Sequence, residues 1–480
     1  MNTEFDGSRH VGKVFSQYWD TPLLIEPHQS QSLEYGEVLK RAIALDDWLI
    51  SEGYGAGEPI RIAPTNSSIP LTVYLGALLS DRLVYAIDPS RGEQDISEML
   101  DIADGERLLT DDPSLIDRED AIQLTPIEPV DMAKSEAVNK LTEANSSDPF
   151  LVTFTSGTTG TPKGVLHNFD NFVHASLRFG ERFDFSPSDT FYHTLPMGYM
   201  AGILNALVLP LCHGSEIVVG KRTSAATAAQ FFEPTAEAGV SVFWLTPTIL
   251  RMLLQLCSGP YDGADSAVGC VATEPLPADL QEEFEAEFEI DLYETYGLSE
   301  TLFITTEYPG DGGNRTGVGP TLPDVDLKLE ADGELLVDAP WLFLDYVNRD
   351  GTITEGHTYR TGDIGEVRDG TVHITGRKKD LIVRNGINIS PTRIEEVLLT
   401  FSSVSGAAVF GRETDNVGER VIAVVEADGE SVRKQTLQQE IVDELGTDHR
   451  PDDIVLVDDL PRTDDDSVDY DAVRIRVAEV

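Results

Sequence analysis

The chain is poor in cations, in cysteine and in long apolar runs. Its 480 residues carry 35 Lys+Arg against 84 Asp+Glu, a formal charge of −49, and only 10 of the cations are lysines. The acidic residues are spread over the whole length. Such a field repels nucleic acids and anionic lipids, so no nucleic-acid and no membrane partner is expected. A uniformly acidic, lysine-poor surface suits concentrated salt, where self-repulsion is screened, and points to a halophile. Any anionic ligand must be held by local positive charge and backbone dipoles against that field. Three cysteines, Cys212, Cys257 and Cys270, are too few and too far apart for a disulfide framework or a metal site. They read as small core residues of a reducing compartment. The opening stretch, "MNTEFDGSRH", has no apolar segment of the secretory kind. The longest nearly apolar run, Met200–Cys212, is too short for a bilayer and reads as a buried helix. A soluble, cytoplasmic protein is expected.

What is present is an ordinary globular composition, 41% hydrophobic, in a chain too long for one core. Residues 33–53 have helical apolar spacing ending at Gly53. "PIRIAPTNSS" reads as a strand entering a loop, "IPLTVYLGALLSD" as a helix and "LVYAIDPS" as a short buried strand. Strand–helix–strand alternation of this kind indicates a parallel sheet with crossover helices. Residues 101–148 are acidic, weakly patterned and expected to be peripheral. From 149 the alternation resumes with strand "FLVTFTS", helix "NFDNFVHASLRFGERF", strand "GSEIVVG", helix "AATAAQFFEPTAEAG" and strand "VSVFWLT". Residues 310–375 change to short alternating runs joined by Gly-Asp turns, as in antiparallel hairpins. The last hundred residues read as a small α+β unit.

"TFTSGTTGTPKG", Thr153–Gly164, is the most informative stretch. Three glycines, Gly157, Gly160 and Gly164, let the backbone curl, Thr155, Ser156, Thr158, Thr159 and Thr161 offer hydroxyls, and Lys163 fixes one ammonium. That is chemistry for cradling phosphate. It is not a Walker A loop, because Lys163 precedes Gly164 rather than Ser/Thr. A solvated surface loop has no reason to combine this hydroxyl density with a scarce lysine.

This loop closely resembles the phosphate loop of the adenylate-forming superfamily, which includes acyl-CoA synthetases and peptide-synthetase adenylation domains. The resemblance continues in order through "YGLSET" at 296–301, "YRTGD" at 359–363 and "GRKKDLIVRNGINISPTRIEEV" at 376–397. It implies an α/β fold: a large N-terminal domain of parallel α/β sheets with a small β-barrel-like part over 1–376. A small mobile α+β C-terminal domain over 377–480 follows, with its hinge at Lys379. It further implies ATP, Mg²⁺ and CoA, a small carboxylic acid as substrate, and an acyl-adenylate passed to a thiol. A carrier protein is the alternative acceptor. By the same resemblance the phosphate loop comprises Thr155, Ser156, Gly157, Thr158, Thr159 and Gly160 with Lys163. Glu300 holds Mg²⁺ and Ser299 contacts the α-phosphate. Tyr296 stacks on adenine, with Thr273 and Glu274 of "ATEP" on its other side. Asp363 accepts from the ribose hydroxyls and Arg377 lies beside ribose or phosphate. The acid pocket draws on "HTLPMGYMAG" (193–202), "WLTP" (244–247) and "YGLSETLF" (296–303), with Tyr199, Met200, Gly202 and Gly297 among them. Tyr199 stands where relatives often have histidine, and can donate a hydrogen bond but carries no charge near neutrality. The basic residues Arg377, Lys378, Lys379, Arg384 and Arg393 reverse the local field and could meet CoA phosphates.

One feature departs from the family. Relatives end with a Pro-Lys/Arg-Thr segment, then Gly-Lys, then a helix. In "LPRTDDDSVDYDAVR" Pro461, Arg462, Thr463 and Arg474 fit that register, but the Gly-Lys pair falls on Asp466 and Ser467. No lysine follows Lys434. A cation at the reacting centre is worth ~3–4 kcal/mol, a hundred- to thousandfold in rate. Either Lys163, Mg²⁺ and an arginine such as Arg462 or Arg474 carry adenylation, or the protein is an adenylation-deficient homologue that binds nucleotide or acyl-adenylate.

Overall fold

The computed structural model describes residues 5–478, apart from 116–120, 156–161, 265, 311–316, 348–357, 385–386, 402, 415–417, 428–432 and 463–467. The chain divides into two compact units, residues 1–326 with 337–359, and 327–336 with 360–480. Residues 360–376, on the N-terminal side of the expected boundary, pack with the second unit.

The first unit is built on two sheets. One has eight strands in the order Leu302–Thr306, Asp291–Leu298, Val268–Val271, Val242–Leu245, Thr190–His193, Glu216–Val219, Pro22–Glu26, Gln31–Glu34. Its interior pairs are parallel, and each edge strand returns antiparallel as a hairpin. The other has seven strands, with Val84–Ala86 and Pro149–Thr155 parallel at its centre and Lys163–Asn168 turning back antiparallel on the latter. The short interior strands are buried on both faces, which is why they read as continuous apolar runs. The helix Phe169–Phe183 starts where Asn168 accepts a hydrogen bond from the Asn171 N–H, as its N-cap.

Three expectations need correction. The helix expected over 33–53 begins only at Tyr35 and breaks at Ala44, because Leu33 is drawn into a strand opposite Leu24. The helix expected over "AATAAQFFEPTAEAG" is a 3₁₀ turn, Ala228–Gln230, and a short helix, Glu233–Ala238; Phe231 packs into the core and Pro234 starts the new helix. Residues 101–148 are not merely peripheral. Leu108–Thr110 extends the seven-stranded sheet, and the helix Lys134–Glu143 buries Ala137 and Leu141. Their few apolar positions lie too far apart in acidic surroundings to give a periodic signal.

Met200–Cys212 is helical and buried, with a π-helical stretch at Leu204–Val208 just before Pro210. Proline supplies no N–H, so the helix rewinds to reassign the carbonyls preceding it.

In the second unit the barrel-like part takes the form, among the described residues, of a four-stranded sheet. Its order is Asp326–Leu329, Glu334–Asp338, Tyr359–Arg368, Thr371–Arg377. The rest is α+β: the long hairpin Val404–Thr414 and Gly418–Ala427, with Asp453–Val457 added in parallel. The helices Pro391–Leu399 and Lys434–Leu445 contribute to its core.

Candidate active site

The strand Asp291–Leu298 carries Tyr296 and Gly297 and turns back into Leu302–Thr306, so Ser299 and Glu300 occupy the turn. The register shifts between Tyr296 and Gly297, and a Cβ at Gly297 would lie 2.0 Å from the Leu302 carbonyl oxygen. Only glycine fits that approach. Leu302 holds φ +53°, a left-handed conformation costly for a leucine.

Three consecutive carbonyls of this turn have fixed donors. His167 Nε2 donates to Ser299 O at 2.7 Å, the Phe343 N–H to Glu300 O at 2.9 Å, and Trp341 Nε1 to Thr301 O at 3.0 Å. Asn171 Nδ2 donates to His167 Nδ1 at 3.2 Å, which fixes the proton of His167 on Nε2. Burial lowers the His167 pKa to about 4, opposed only by its bond to the Ser299 carbonyl, so the ring stays neutral. These donors come from the strand after the phosphate loop and from 341–343, so both segments are locked to the turn.

The Glu300 carboxylate accepts at Oε1 from the Tyr346 hydroxyl at 2.7 Å, and that hydroxyl lies 3.3 Å from the Tyr359 hydroxyl. Burial, then the negative charge of Glu300, pushes the Tyr359 hydroxyl well above the ordinary tyrosine range. Tyr359 therefore keeps its proton beside the carboxylate. Lys163 Nζ lies 5.7 Å from the centre of the Tyr346 ring. One phenol thus stands between the carboxylate and the ammonium that the sequence singled out. Tyr346 and His167 were missed there. Neither belongs to a spaced motif, and only the sheet pairing of Asp345–Val347 with Lys163–Asn168 brings them in.

Thr155 ends its strand directly opposite Lys163, so the intervening loop starts and closes between them. Ser156, Gly157, Thr158, Thr159 and Gly160 lie outside the described residues. Thr273 has φ +81°, an outlier for a β-branched side chain, in the turn after the strand Val268–Val271. Glu274 follows it and Tyr296 is half-buried in the neighbouring strand. Tyr199 precedes the helix starting at Met200 and its carbonyl accepts the Ile203 N–H. Met200 is buried, and a Cβ at Gly202 would lie 1.9 Å from the Pro196 carbonyl oxygen.

In the second unit Asp363 and Arg377 face each other across paired strands, with Arg377 Nε 3.1 Å from Asp363 Oδ1. Asp363 is buried and Arg377 exposed. The basic stretch is largely neutralised within this unit. Lys378 Nζ lies 2.6 Å from Asp332 and 2.8 Å from Glu334, and Arg384 Nη1 lies 3.0 Å from Asp452. Lys379 is exposed in the turn Lys378–Asp380. Arg462 bridges to Val468 and lies 3.4 Å from Glu426, while the Arg474 guanidinium sits over the Phe410 ring. Ser467 lies outside the described residues.

This arrangement of folds and motifs is that of an adenylate-forming enzyme, and the comparisons agree. Residues 13–347 match the family described as AMP-binding enzyme, and residues 393–465 its C-terminal domain. The chain belongs to this family. Among curated proteins it is 28% identical to the sulfoacetate–CoA ligase of Cupriavidus necator, over 93% of both chains. It is 24% identical to the long-chain-fatty-acid–CoA ligase FadD13 of Mycobacterium tuberculosis, over 91% of this chain and 92% of that one. Among solved structures it shares its fold with ATP-bound MatB from Rhodopseudomonas palustris, with a TM-score of 0.82 at 22% identity over 98% of each chain. The amide bond synthetase McbA from Marinactinospora thermotolerans has the same fold, with a TM-score of 0.81 at 20% identity over 98% of this chain and 99% of that one. No helix among the described residues is long and apolar enough to cross a membrane.

Proposed function

We propose that the protein is an AMP-forming acid–thiol ligase that activates a small carboxylic acid with ATP and transfers the acyl group to CoA. The observation that carries this reading is the Glu300 turn, where a carboxylate on a pinned backbone is separated by one phenol from the Lys163 ammonium. In the first step a carboxylate oxygen of the acid attacks the α-phosphorus and pyrophosphate leaves. In the second a thiol sulfur attacks the acyl carbonyl and AMP leaves. Charge must be neutralised on the phosphates in the first step. Lys163 and the hydroxyls from Thr155 onward are assigned to that task, with Ser299 on the α-phosphate. Tyr296, Thr273 and Glu274 are assigned to adenine, and Asp363 and Arg377 to the ribose.

Glu300 suits Mg²⁺. Its carboxylate is a hard oxygen donor, and among the described residues no group of three or more His, Cys, Asp or Glu offers a competing all-protein cage. Bound there, the ion would supply Lewis-acid neutralisation of the phosphates. Tyr346 orients the carboxylate, and the neutral His167 holds the backbone beneath it. We assign the hinge between the two steps to Lys379, and take the protein to work in a salty cytoplasm, which its charge of −49 supports.

CoA is favoured as acceptor because the curated relatives named above are CoA ligases. A second reading rests on one observation, the absence of lysine after Lys434. It makes the protein a nucleotide- or acyl-adenylate-binding homologue with little adenylation of its own. A panel of short, aromatic and fatty acids is offered with ATP, Mg²⁺ and CoA in molar salt, with a phosphopantetheinylated carrier protein in parallel. Acyl-CoA and AMP formed in equal amounts from at least one acid is the expected result. Acylation of the carrier alone, or AMP from none of the acids, contradicts it.

A further inference from the structure

Leu302 is the strained residue of the Glu300 turn, and the carbonyls on either side of it share one donor. Trp341 is fully buried, and its Nε1–H reaches Thr301 O at 3.0 Å and Phe303 O at 3.2 Å. The indole is a fork across the left-handed residue, whose φ is +53°. A leucine persists in that conformation only where its surroundings over-determine it. With the fork in place Leu302 stays left-handed, and Glu300, two residues earlier, keeps its direction.

What holds the indole comes from the helix Phe169–Phe183. His174 meets the Trp341 ring edge-on, with centres 5.2 Å apart and planes at 64°. Phe5 stacks on the same imidazole at 4.4 Å and 16°. His174 Nε2 lies 3.6 Å from Asp324 Oδ2, and Arg178, one turn on, donates from Nε to that oxygen at 2.6 Å. One turn before His174, Asn171 donates to Leu342 O at 2.8 Å. Positions 171, 174 and 178 share one helix face, so a single stripe grips both 341–342 and Asp324.

Asp324 is left-handed too, with φ +69°. Two residues before it, the Leu322 N–H donates at 2.9 Å to Ile304 O, in the strand that follows the Glu300 turn. Leu302 and Asp324 thus stand at the two ends of one packed path. Glycine would serve the Asp324 turn at no steric cost. What aspartate adds is a carboxylate, and it faces His174 and Arg178.

We propose that Asp324, His174 and Trp341 are positioning residues for the Glu300 carboxylate. Asp324 fixes the imidazole, the imidazole fixes the indole, and the indole fixes the turn through the Thr301 and Phe303 carbonyls. This rests on the reading of Glu300 as the Mg²⁺ ligand. It goes beyond that reading by making the metal requirement depend on an exposed aspartate that belongs to none of the motifs.

The test is ATP binding to the full chain by calorimetry, across a Mg²⁺ titration in molar salt, with melting temperatures from circular dichroism. Trp341→Phe removes the fork and leaves a ring against His174. Asp324→Gly removes the carboxylate and relieves the positive φ, and His174→Phe keeps the stack on Phe5 and Trp341. Trp341→Phe should raise the Mg²⁺ concentration for half-maximal binding about tenfold, as expected for the loss of one or two neutral hydrogen bonds. Asp324→Gly should raise it about threefold. Its melting temperature should equal or exceed that of wild type, because strain is relieved and the exposed ion pair with Arg178 adds little. His174→Phe should match the Asp324→Gly shift, and the double variant should not exceed it, since residues acting as a unit are not additive. A merely structural cluster would move melting temperature and Mg²⁺ requirement together. Asp324→Gly lies at the surface and decides the matter even if the buried Trp341→Phe does not fold. A wild-type Mg²⁺ requirement in Asp324→Gly, a shift accompanied by a lower melting temperature, or additive shifts in the double variant overturns the proposal alone. A wild type that binds ATP equally with and without Mg²⁺ overturns the metal reading and the proposal with it.

Discussion

The turn that carries Glu300 and the basic stretch from Arg377 to Arg384 are both charged, motif-bearing segments, and they are held in opposite ways. In the turn the backbone is fixed, with three carbonyls held by dedicated donors, and among the described residues the Glu300 carboxylate meets neutral phenols rather than cations. In the basic stretch the side chains themselves are spent, with Lys378 on Asp332 and Glu334, and Arg384 on Asp452. A carboxylate left without a cation is available for a metal. A cation already paired is a poor phosphate ligand, since a phosphate must first displace the carboxylate. The difference teaches that a charged motif in a sequence says where charge is, and the fold decides whether it is free.

The largest expected effect lies in the turn. Glu300→Gln keeps the Tyr346 contact as an acceptor but removes the charge, and should cut acid-dependent ATP–pyrophosphate exchange by roughly a hundred- to a thousandfold. Titrating Mg²⁺ against the rate checks it. A variant within twofold of wild type would remove the turn's claim to the metal.

A second effect separates the units by pH. Glu395, on the helix that follows the basic stretch, accepts from the Val409 N–H at 2.7 Å and the Tyr470 hydroxyl at 2.9 Å, tying that helix to the terminal one. Burial, opposed by those two bonds, raises its pKa to about 7. A folded-state value above the unfolded one means the protonated form stabilises the fold. That contribution is complete below about pH 4.5 and is lost as pH rises through about 7. It is on the order of 3 kcal/mol. Thermal melts should find the small unit losing stability over that window in wild type and much less in Glu395→Gln, which retains the acceptor oxygen. Parallel pH curves for the two proteins would mean that Glu395 is not the group responsible.

Tyr346→Phe sharpens the comparison from the carboxylate's side. Without the phenol the carboxylate is less well oriented, so we expect about a tenfold lower exchange rate. The loss should fall mainly in the Mg²⁺ requirement, with the melting temperature nearly unchanged. A shift in melting temperature with normal Mg²⁺ dependence would make Tyr346 a packing residue only.

The smallest effect is on the strained turn at Thr273. Thr273→Gly should relieve the φ +81° conformation and stabilise the large unit by about 1 kcal/mol. Denaturant unfolding checks it, and a destabilised variant would mean the side chain compensates its own strain.

How much was legible beforehand follows from range. The strands of the parallel sheets were readable because their signals are local. Lys163, Glu300 and Asp363 stand in ordered motifs, so the sequence offers them as site residues. Tyr346, His167 and Trp341 were not readable, because their roles depend on sheet neighbours far apart in sequence. The helices expected at 33–53 and 225–239 failed for a related reason. Leu33 and Phe231 satisfy helical spacing but are claimed by a strand pair and a core. The spent cations were invisible too, since nothing in "GRKKD" announces Asp332 and Glu334 as partners.

The most direct measurement returns to the end of the chain, where Ser467 stands at the family's lysine position. ATP–pyrophosphate exchange is measured for wild type and Ser467→Lys side by side, in high salt, with the acid that supports the most turnover. If Lys163 and the Glu300 site suffice, wild type exchanges measurably and the variant gains by no more than about a hundred- to a thousandfold. No exchange by wild type with any acid, together with clear exchange by the variant, would contradict the ligase assignment.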